Sequence, residues 1–240
     1  MARINNNAEE RRIAVLIDAD NVSQKYIKYI FDEISKHGVP TYKRIYGDWT
    51  STRQSAWKEV LLSYSITPIQ QYSYTTGKNA TDSALIIDAM DILYSENVDG
   101  FCIVSSDSDF TRLAVRLKED GMYVIGMGEK KTPSPFIAAC GQFKYLESLI
   151  QVEKNQVKSP GIDAVPKELK EITNQILPLI EDMSDEAGWL NLSVLGDILV
   201  KRQPDFDTRN YGYSKLSALI SAIPVLELKM KGRSYYIRIK

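Results

Sequence analysis

Apolar positions alternate between two patterns from Arg11 to Leu149. Residues 13–17 (IAVLI) form a continuous apolar run, the mark of a strand buried on both faces. Tyr26, Ile27, Ile30, Phe31 and Ile34 follow at helical spacing, and Gly38 supplies a stop. Residues 41–46 predict a second strand. Trp57, Val60, Leu61 and Tyr64 predict a second helix, and residues 66–70 a short third strand. Residues 82–96 predict a long helix with Leu85, Ile86, Ala89, Met90 and Leu93 on one side. Residues 101–104 (FCIV) read as the next buried strand. A helix carrying Phe110, Leu113, Ala114 and Leu117 follows and ends near Gly121, and residues 122–127 form a further strand. Strands separated by single helices predict an α/β domain with a mainly parallel sheet.

The pattern changes after residue 150. Residues 151–167 are polar, with a Pro-Gly and a second proline, and read as a linker. Leu169, Ile172, Ile176 and Leu179 then predict one helix. Residues 189–192 with Val194, Leu195, Ile198 and Leu199 predict another, and Leu216, Leu219 and Ile220 a third. Two apolar runs, residues 225–228 and 235–239, flank the turn signal at Lys231, Gly232, Arg233 and Ser234. Three helices and a hairpin make a winged-helix pattern. The expected organisation is a flexible polar N-terminus over 1–10, an α/β domain over 11–149, a linker over 150–165 and a small winged-helix domain over 166–240.

With 240 residues, 44% hydrophobic and 25% charged, the composition is that of a globular chain and excludes a fibre or wholesale disorder. No apolar run approaches the roughly 18–20 residues of a bilayer span. The polar start lacks a secretory signal, and two cysteines, Cys102 and Cys140, cannot build a disulfide framework. A cytoplasmic location is therefore expected, with no membrane partner. The one histidine, His37, excludes a multi-histidine zinc site and reads as a partner of its helix C-terminus. Net charge is −1, yet residues 201–240 carry nine Lys/Arg and three acids, net +6, which leaves −7 for the rest. A basic end on an acidic body suggests a polyanion-binding surface.

Carboxylates carry the candidate chemistry. Asp18 and Asp20 stand just past the first buried strand, and Asp107 and Asp109 just past the FCIV strand. In an open parallel sheet, ligands sit beyond the carboxyl ends of strands where strand order reverses. Asp82 opens the long helix. At about 100° per residue, Leu85, Ile86, Ala89 and Leu93 all fall within about 60° of it, so Asp82 points inward. Asp91 falls near 180° and Asp88 near 240°, outward and marginal respectively. An inward carboxylate is costly unless paired, hydrogen-bonded or metal-bound. Crowded carboxylates repel one another, and a hard divalent cation, Mg²⁺ or Mn²⁺, removes that penalty and suits phosphodiester hydrolysis. Asn21 could hold water or a phosphate oxygen. The plainer alternative is helix capping, by Asp20 or Ser23 after the first strand and by Ser106 or Asp107 before Phe110.

IAVLIDADN, KNATDSALIIDAM and FCIVSSDSDFTRLAVRLKEDGMYVIGMG resemble the NYN domain, the LabA-like branch of the PIN-like nucleases, over about residues 10–148. The resemblance implies a PIN-like α/β/α sandwich that cleaves RNA with Mg²⁺ or Mn²⁺. It implies metal ligands at Asp18, Asp82, Asp107 and Asp109, with Asn21 assisting. Asp88 falls where LabA-like sequences often repeat an acid, and Lys78 matches the basic residue common in this loop and could contact phosphate. GWLNLSVLGDILVKRQPDFDTRNYGYSKLSALISAIPVLEL, ending in RSYYIRIK, is similar to the OST-HTH or LOTUS domain, a winged helix associated with RNA binding.

Candidate RNA contacts in the second domain are Lys201, Arg202, Arg209, Tyr211, Tyr213 and Lys215 around its third helix, and Lys231 and Arg233 at the wing. The tyrosines could equally pack on the PDFD turn. In the first domain Arg44, Trp49, Arg53, Tyr72, Tyr74 and Lys78 could line an entry path, whereas Trp57 and Cys102 read as core. Ser105 and Ser106 read as hydrogen-bond donors behind the carboxylates or as parts of a turn. The expected function is a metal-dependent endoribonuclease, with RNA recruited by the C-terminal domain. The rival is a catalytically silent RNA-binding or regulatory adaptor. An aspartyl-nucleophile phosphatase fits poorly, since Val22 follows DADN. A homodimer stays an open alternative.

Overall fold

The computed structural model describes residues 10–72, 80–154 and 167–240. They fall into two compact units, Met1–Leu149 and Ile150–Lys240.

In the first unit six strands form one parallel sheet. In chain order they are β1 (Arg12–Asp18), β2 (Val39–Gly47), β3 (Thr67–Gln70), β4 (Gly100–Val104), β5 (Tyr123–Gly128) and β6 (Gln142–Tyr145). The helices are α1 (Ile27–Ile34), α2 (Ser55–Leu61), α3 (Ala80–Tyr94), α4 (Thr111–Glu119), α5 (Ser134–Ala139) and α6 (Leu146–Lys154). Strand order across the sheet is β3-β2-β1-β4-β5-β6, so the order reverses between β1 and β4. These two strands are the most apolar, and both are buried almost end to end. They can occupy the middle because neither face needs water. The parallel α/β class is as the sequence predicts. Three elements escape the sequence pattern: α5 and β6, a six-residue helix and a four-residue strand too short to show a period, and α6, which runs to Lys154 and into residues expected as linker. The strand β6 extends the sheet beyond β5.

The long helix α3 buries Leu85, Ala89, Ile92 and Leu93, while Ile87 and Tyr94 are exposed. Asp88 is neither solvent-facing nor near the acidic cluster's shared ligands. Its carboxylate takes hydrogen bonds from Arg44 and from the buried Tyr46 hydroxyl, both on β2. Burial first, then Asp88, pushes the Tyr46 hydroxyl well above its ordinary value. This triad ties α3 to the sheet. Asp88→Ala strands a guanidinium and a phenol, and a loss of about 2 kcal/mol in urea unfolding is expected.

The second unit comprises α7 (Lys167–Met183), β7 (Leu190–Asn191), α8 (Leu192–Arg202), α9 (Leu216–Ser221), β8 (Leu226–Lys231) and β9 (Ser234–Ile239). Its sheet is antiparallel, in the order β7-β9-β8. Leu169, Ile172, Ile176, Leu195, Leu199, Leu219, Ile220 and Ile237 make its core. The hairpin turns through two residues, and Gly232 takes the positive φ of 65° that the first position of such a loop requires. Leu190–Asn191, expected as the start of the second helix, is a strand paired to β9, and the helix begins only at Leu192.

Candidate metal centre and nucleic-acid surfaces

Register at the sheet centre builds the site. Ile17 on β1 lies beside Val104 on β4, so the next residues, Asp18 and Ser105, meet across the strand ends. Asp18 is fully buried. Its Oδ2 accepts from Ser105 Oγ (2.8 Å) and Asn21 Nδ2 (2.7 Å), and its Oδ1 from the Asp20 N–H (3.0 Å). Burial raises its carboxyl above the ordinary range, and these donors oppose the rise. Ser105 Oγ in turn accepts from the Asp107 N–H (3.1 Å), so one hydroxyl couples the ends of β1 and β4. β5 approaches this corner closely because Gly128 has no side chain: a Cβ there would lie 2.6 Å from the Ser105 carbonyl oxygen.

Both DxD motifs fold alike. The first aspartate accepts from the backbone N–H of the second, at 3.0 Å for Asp18 and 2.9 Å for Asp107. That i to i+2 bond is an Asx turn, which fixes the spacing of the pair. Capping and ligation are therefore not rivals at Asp107. One oxygen holds the turn and the other has no hydrogen-bond partner among the described residues. Ser106 accepts from the Glu129 N–H instead (2.8 Å). Ser23 makes no side-chain cap, and Asp20 accepts from Gln54 Nε2 (2.8 Å).

Asp82, at the start of α3, is 9% exposed and accepts no hydrogen bond from the described residues. Its carboxyl is pushed up to about 6 by burial first, then by the negative charges of Asp18, Asp107, Asp109 and Asp20. The inward direction read from helical phase is thus the observed one. Asp82, Asp107 and Asp109 each offer an oxygen, and these atoms lie within 4.8 Å of one another. Asp18, expected among the direct ligands, is outside that group. It faces the cluster closely enough to be the largest charge acting on Asp82, and its Oδ2 accepts two hydrogen bonds and its Oδ1 one. Asn21 donates one of these bonds, so it positions Asp18. The set is all oxygen and its charges are crowded, which fits a hard divalent cation and not a soft one.

Several expected RNA contacts are occupied within the protein. Arg44 is bound to Asp88 and lies 5.1 Å from the Tyr42 ring. Arg209 pairs with Asp207, both largely buried. Tyr211 leans on Phe206, ring centroids 6.1 Å apart, as the packing alternative has it. Trp49 donates its indole N–H to the Ile69 carbonyl (3.0 Å). Lys201, Arg202, Lys215, Lys231 and Arg233 are exposed. Lys78, Tyr74 and the Arg53 side chain lie outside the described residues. Trp57 and Cys102 are core. His37 shares Nδ1 with the Tyr123 hydroxyl (3.3 Å) at the other end of the sheet. Sequence reasoning passed over Trp189, whose ring lies under Arg238 at 4.7 Å and Lys229 at 5.8 Å. An aromatic flanked by cations two strands away gives no sequence signal.

Among the described residues no helix is long and apolar enough to cross a membrane. No curated protein matches the chain. A solved structure from Vibrio parahaemolyticus, of a protein of unknown function, is similar at a TM-score of 0.48 and 18% identity, covering 57% of this chain and 93% of that one. The OST-HTH/LOTUS domain model matches residues 163–236. The NYN domain model matches residues 12–147, more than half the chain, and the protein belongs to this PIN-like, nuclease-type hydrolase family.

Proposed function

We propose that the protein is a Mg²⁺- or Mn²⁺-dependent endoribonuclease whose second domain binds RNA. The observation that carries this reading is the nearly buried Asp82, which accepts no hydrogen bond from the described residues, beside Asp107 and Asp109 on a NYN fold. These three residues would hold the cation. Once bound, it supplies charge neutralisation for the phosphodiester and lowers the pKa of attacking water. The protein's own groups do the rest. Asp107 is aimed by its turn, and Asp18 adds negative charge from a position fixed by Ser105, Asn21 and the Asp20 amide. The OST-HTH/LOTUS match supports RNA as the substrate class.

Cleavage of unstructured and hairpin RNA is measured with Mn²⁺, with Mg²⁺ and with EDTA. Cleavage with either ion, absent in EDTA and lost in Asp107→Asn, is expected. Equal activity of wild type and Asp107→Asn would sink the reading. Tight RNA binding with no turnover under any of these conditions would replace it with the adaptor.

A further inference from the structure

The small sheet of the second unit has one face that its own helices leave bare. Leu226, Leu228, Ile237 and Ile239 pack inward, and strand alternation turns the intervening residues outward. Register sets these in rows. Asn191, Tyr236 and Lys229 make one row, Arg238 and Glu227 the next, and Ser234 with Lys231 the row at the hairpin end. Trp189, immediately before β7, joins the row of Arg238, with Arg238 Cζ 4.7 Å and Lys229 Nζ 5.8 Å from its ring centroid. Lys231 and Arg233 project from the hairpin and are exposed. Arg238 is held by Glu227, Nε to Oε2 2.7 Å, so it fixes the Trp189 ring. Two half-buried aromatic rings and four exposed or half-exposed cations therefore share one flat face.

From this juxtaposition we infer that the outer face of the C-terminal sheet is a single-stranded RNA platform, with unpaired bases stacked on Tyr236 and on the Arg238 guanidinium that lies over the Trp189 ring, and phosphates on Lys229, Lys231 and Arg233. Trp189 and Tyr236 are diagonal neighbours on adjacent strands, about 7–8 Å apart by sheet geometry. Two successive nucleotides of an open strand span that distance. Flat rings interleaved with cations suit a polyanion with π-faces, since every base can stack and every phosphate pairs with a cation. The face offers no apolar groove for a peptide side chain: its outward residues are Asn191, Ser234, Glu227 and the groups just named. The inference rests on the ribonuclease reading only in taking RNA as the ligand.

The test uses the full chain in EDTA, so that binding is read without cleavage. Fluorescence anisotropy compares oligouridine of about 12 nucleotides with an abasic strand of equal length. Wild type is expected to prefer oligouridine by about tenfold or more. Trp189→Ala and Tyr236→Ala each remove most of that preference. Lys229→Ala and Lys231→Ala weaken both strands alike and reduce the salt slope by about 1. Should Trp189→Ala unfold the domain, Tyr236→Ala carries the test, since its side chain is outside the core. The platform is overturned if wild type binds both strands equally or if folded Tyr236→Ala keeps the preference. It is also overturned if polyglutamate displaces the RNA at equal charge. Normal cleavage and unchanged base preference in Tyr236→Ala remove the platform alone. A wild type that neither binds nor cleaves RNA removes the ribonuclease reading as well.

Discussion

Replacing Asp82 by Asn is expected to lower RNA cleavage by about a hundred- to a thousandfold and, in metal-free protein, to raise the melting temperature. The first effect follows from removing one of the three carboxylates proposed to hold the cation that neutralises the phosphodiester, a loss of the size seen when a preorganised electrostatic group is deleted. The second follows from linkage. The Asp82 carboxyl is held at about 6 because burial and four neighbouring aspartates disfavour its ionised form. A carboxyl whose folded pKa lies above its unfolded value stabilises the fold fully below about pH 4, and that stability is lost as pH rises through about 6. Wild type thus carries the penalty at neutral pH. The unscreened value is about 3 kcal/mol. Asp109 opens the cluster to water, so about 1 kcal/mol, or about 3 °C, is expected for the amide variant. Differential scanning fluorimetry at pH 4 and pH 7.5 checks it: the variant gains only at the higher pH. Saturating Mn²⁺ reverses the ranking, because wild type gains the binding term and the variant has lost a ligand. An Asp82→Asn protein no more stable than wild type at pH 7.5 would contradict the crowding on which the metal proposal stands.

That double signature also shows what a sequence carries and what it does not. The inward direction of Asp82 was legible because helical phase is local: Leu85, Ile86, Ala89 and Leu93 define a side, and Asp82 shares it. Strands β1 and β4 were legible because burial on both faces writes a continuous apolar run. The DxD spacing was legible as acidic, but its two uses were not separated, since one aspartate holds the turn with one oxygen and offers the other to the acidic cluster. What was not legible depends on pairings between distant segments. Arg44 and Asp88 are 44 residues apart and meet only once α3 lies on β2. Trp189 looked helical because a two-residue strand has no period, and its cations arrive from β8 and β9. The Ser105 hydrogen bond to Asp18 depends on a β1–β4 register that no local pattern encodes.

The same register gives Ser105 its expected weight. Ser105→Ala is predicted to lower cleavage by about 10- to 100-fold, although the hydroxyl is fully buried and is not among the candidate ligands. Its Oγ donates to Asp18 Oδ2 at 2.8 Å and accepts from the Asp107 N–H at 3.1 Å. Removing it deprives a buried carboxylate of one of its three donors and frees the loop that aims Asp107. The first loss raises the Asp18 carboxyl further, because burial already pushes it up and Ser105 is the foremost group holding it down. The second loosens a ligand. A positioning role of this kind leaves a trace that a merely structural one does not: the apparent Mn²⁺ affinity falls by about 10-fold or more, and excess Mn²⁺ restores part of the lost rate. The fold itself loses about 1–2 kcal/mol for the unsatisfied partners, measurable by urea unfolding. Ser105→Cys, which keeps a weak donor of similar size, falls between the two. A Ser105→Ala enzyme with a wild-type Mn²⁺ titration would mean that the ends of β1 and β4 are held in register by the sheet alone. The site's geometry would then depend on backbone pairing and not on this hydroxyl.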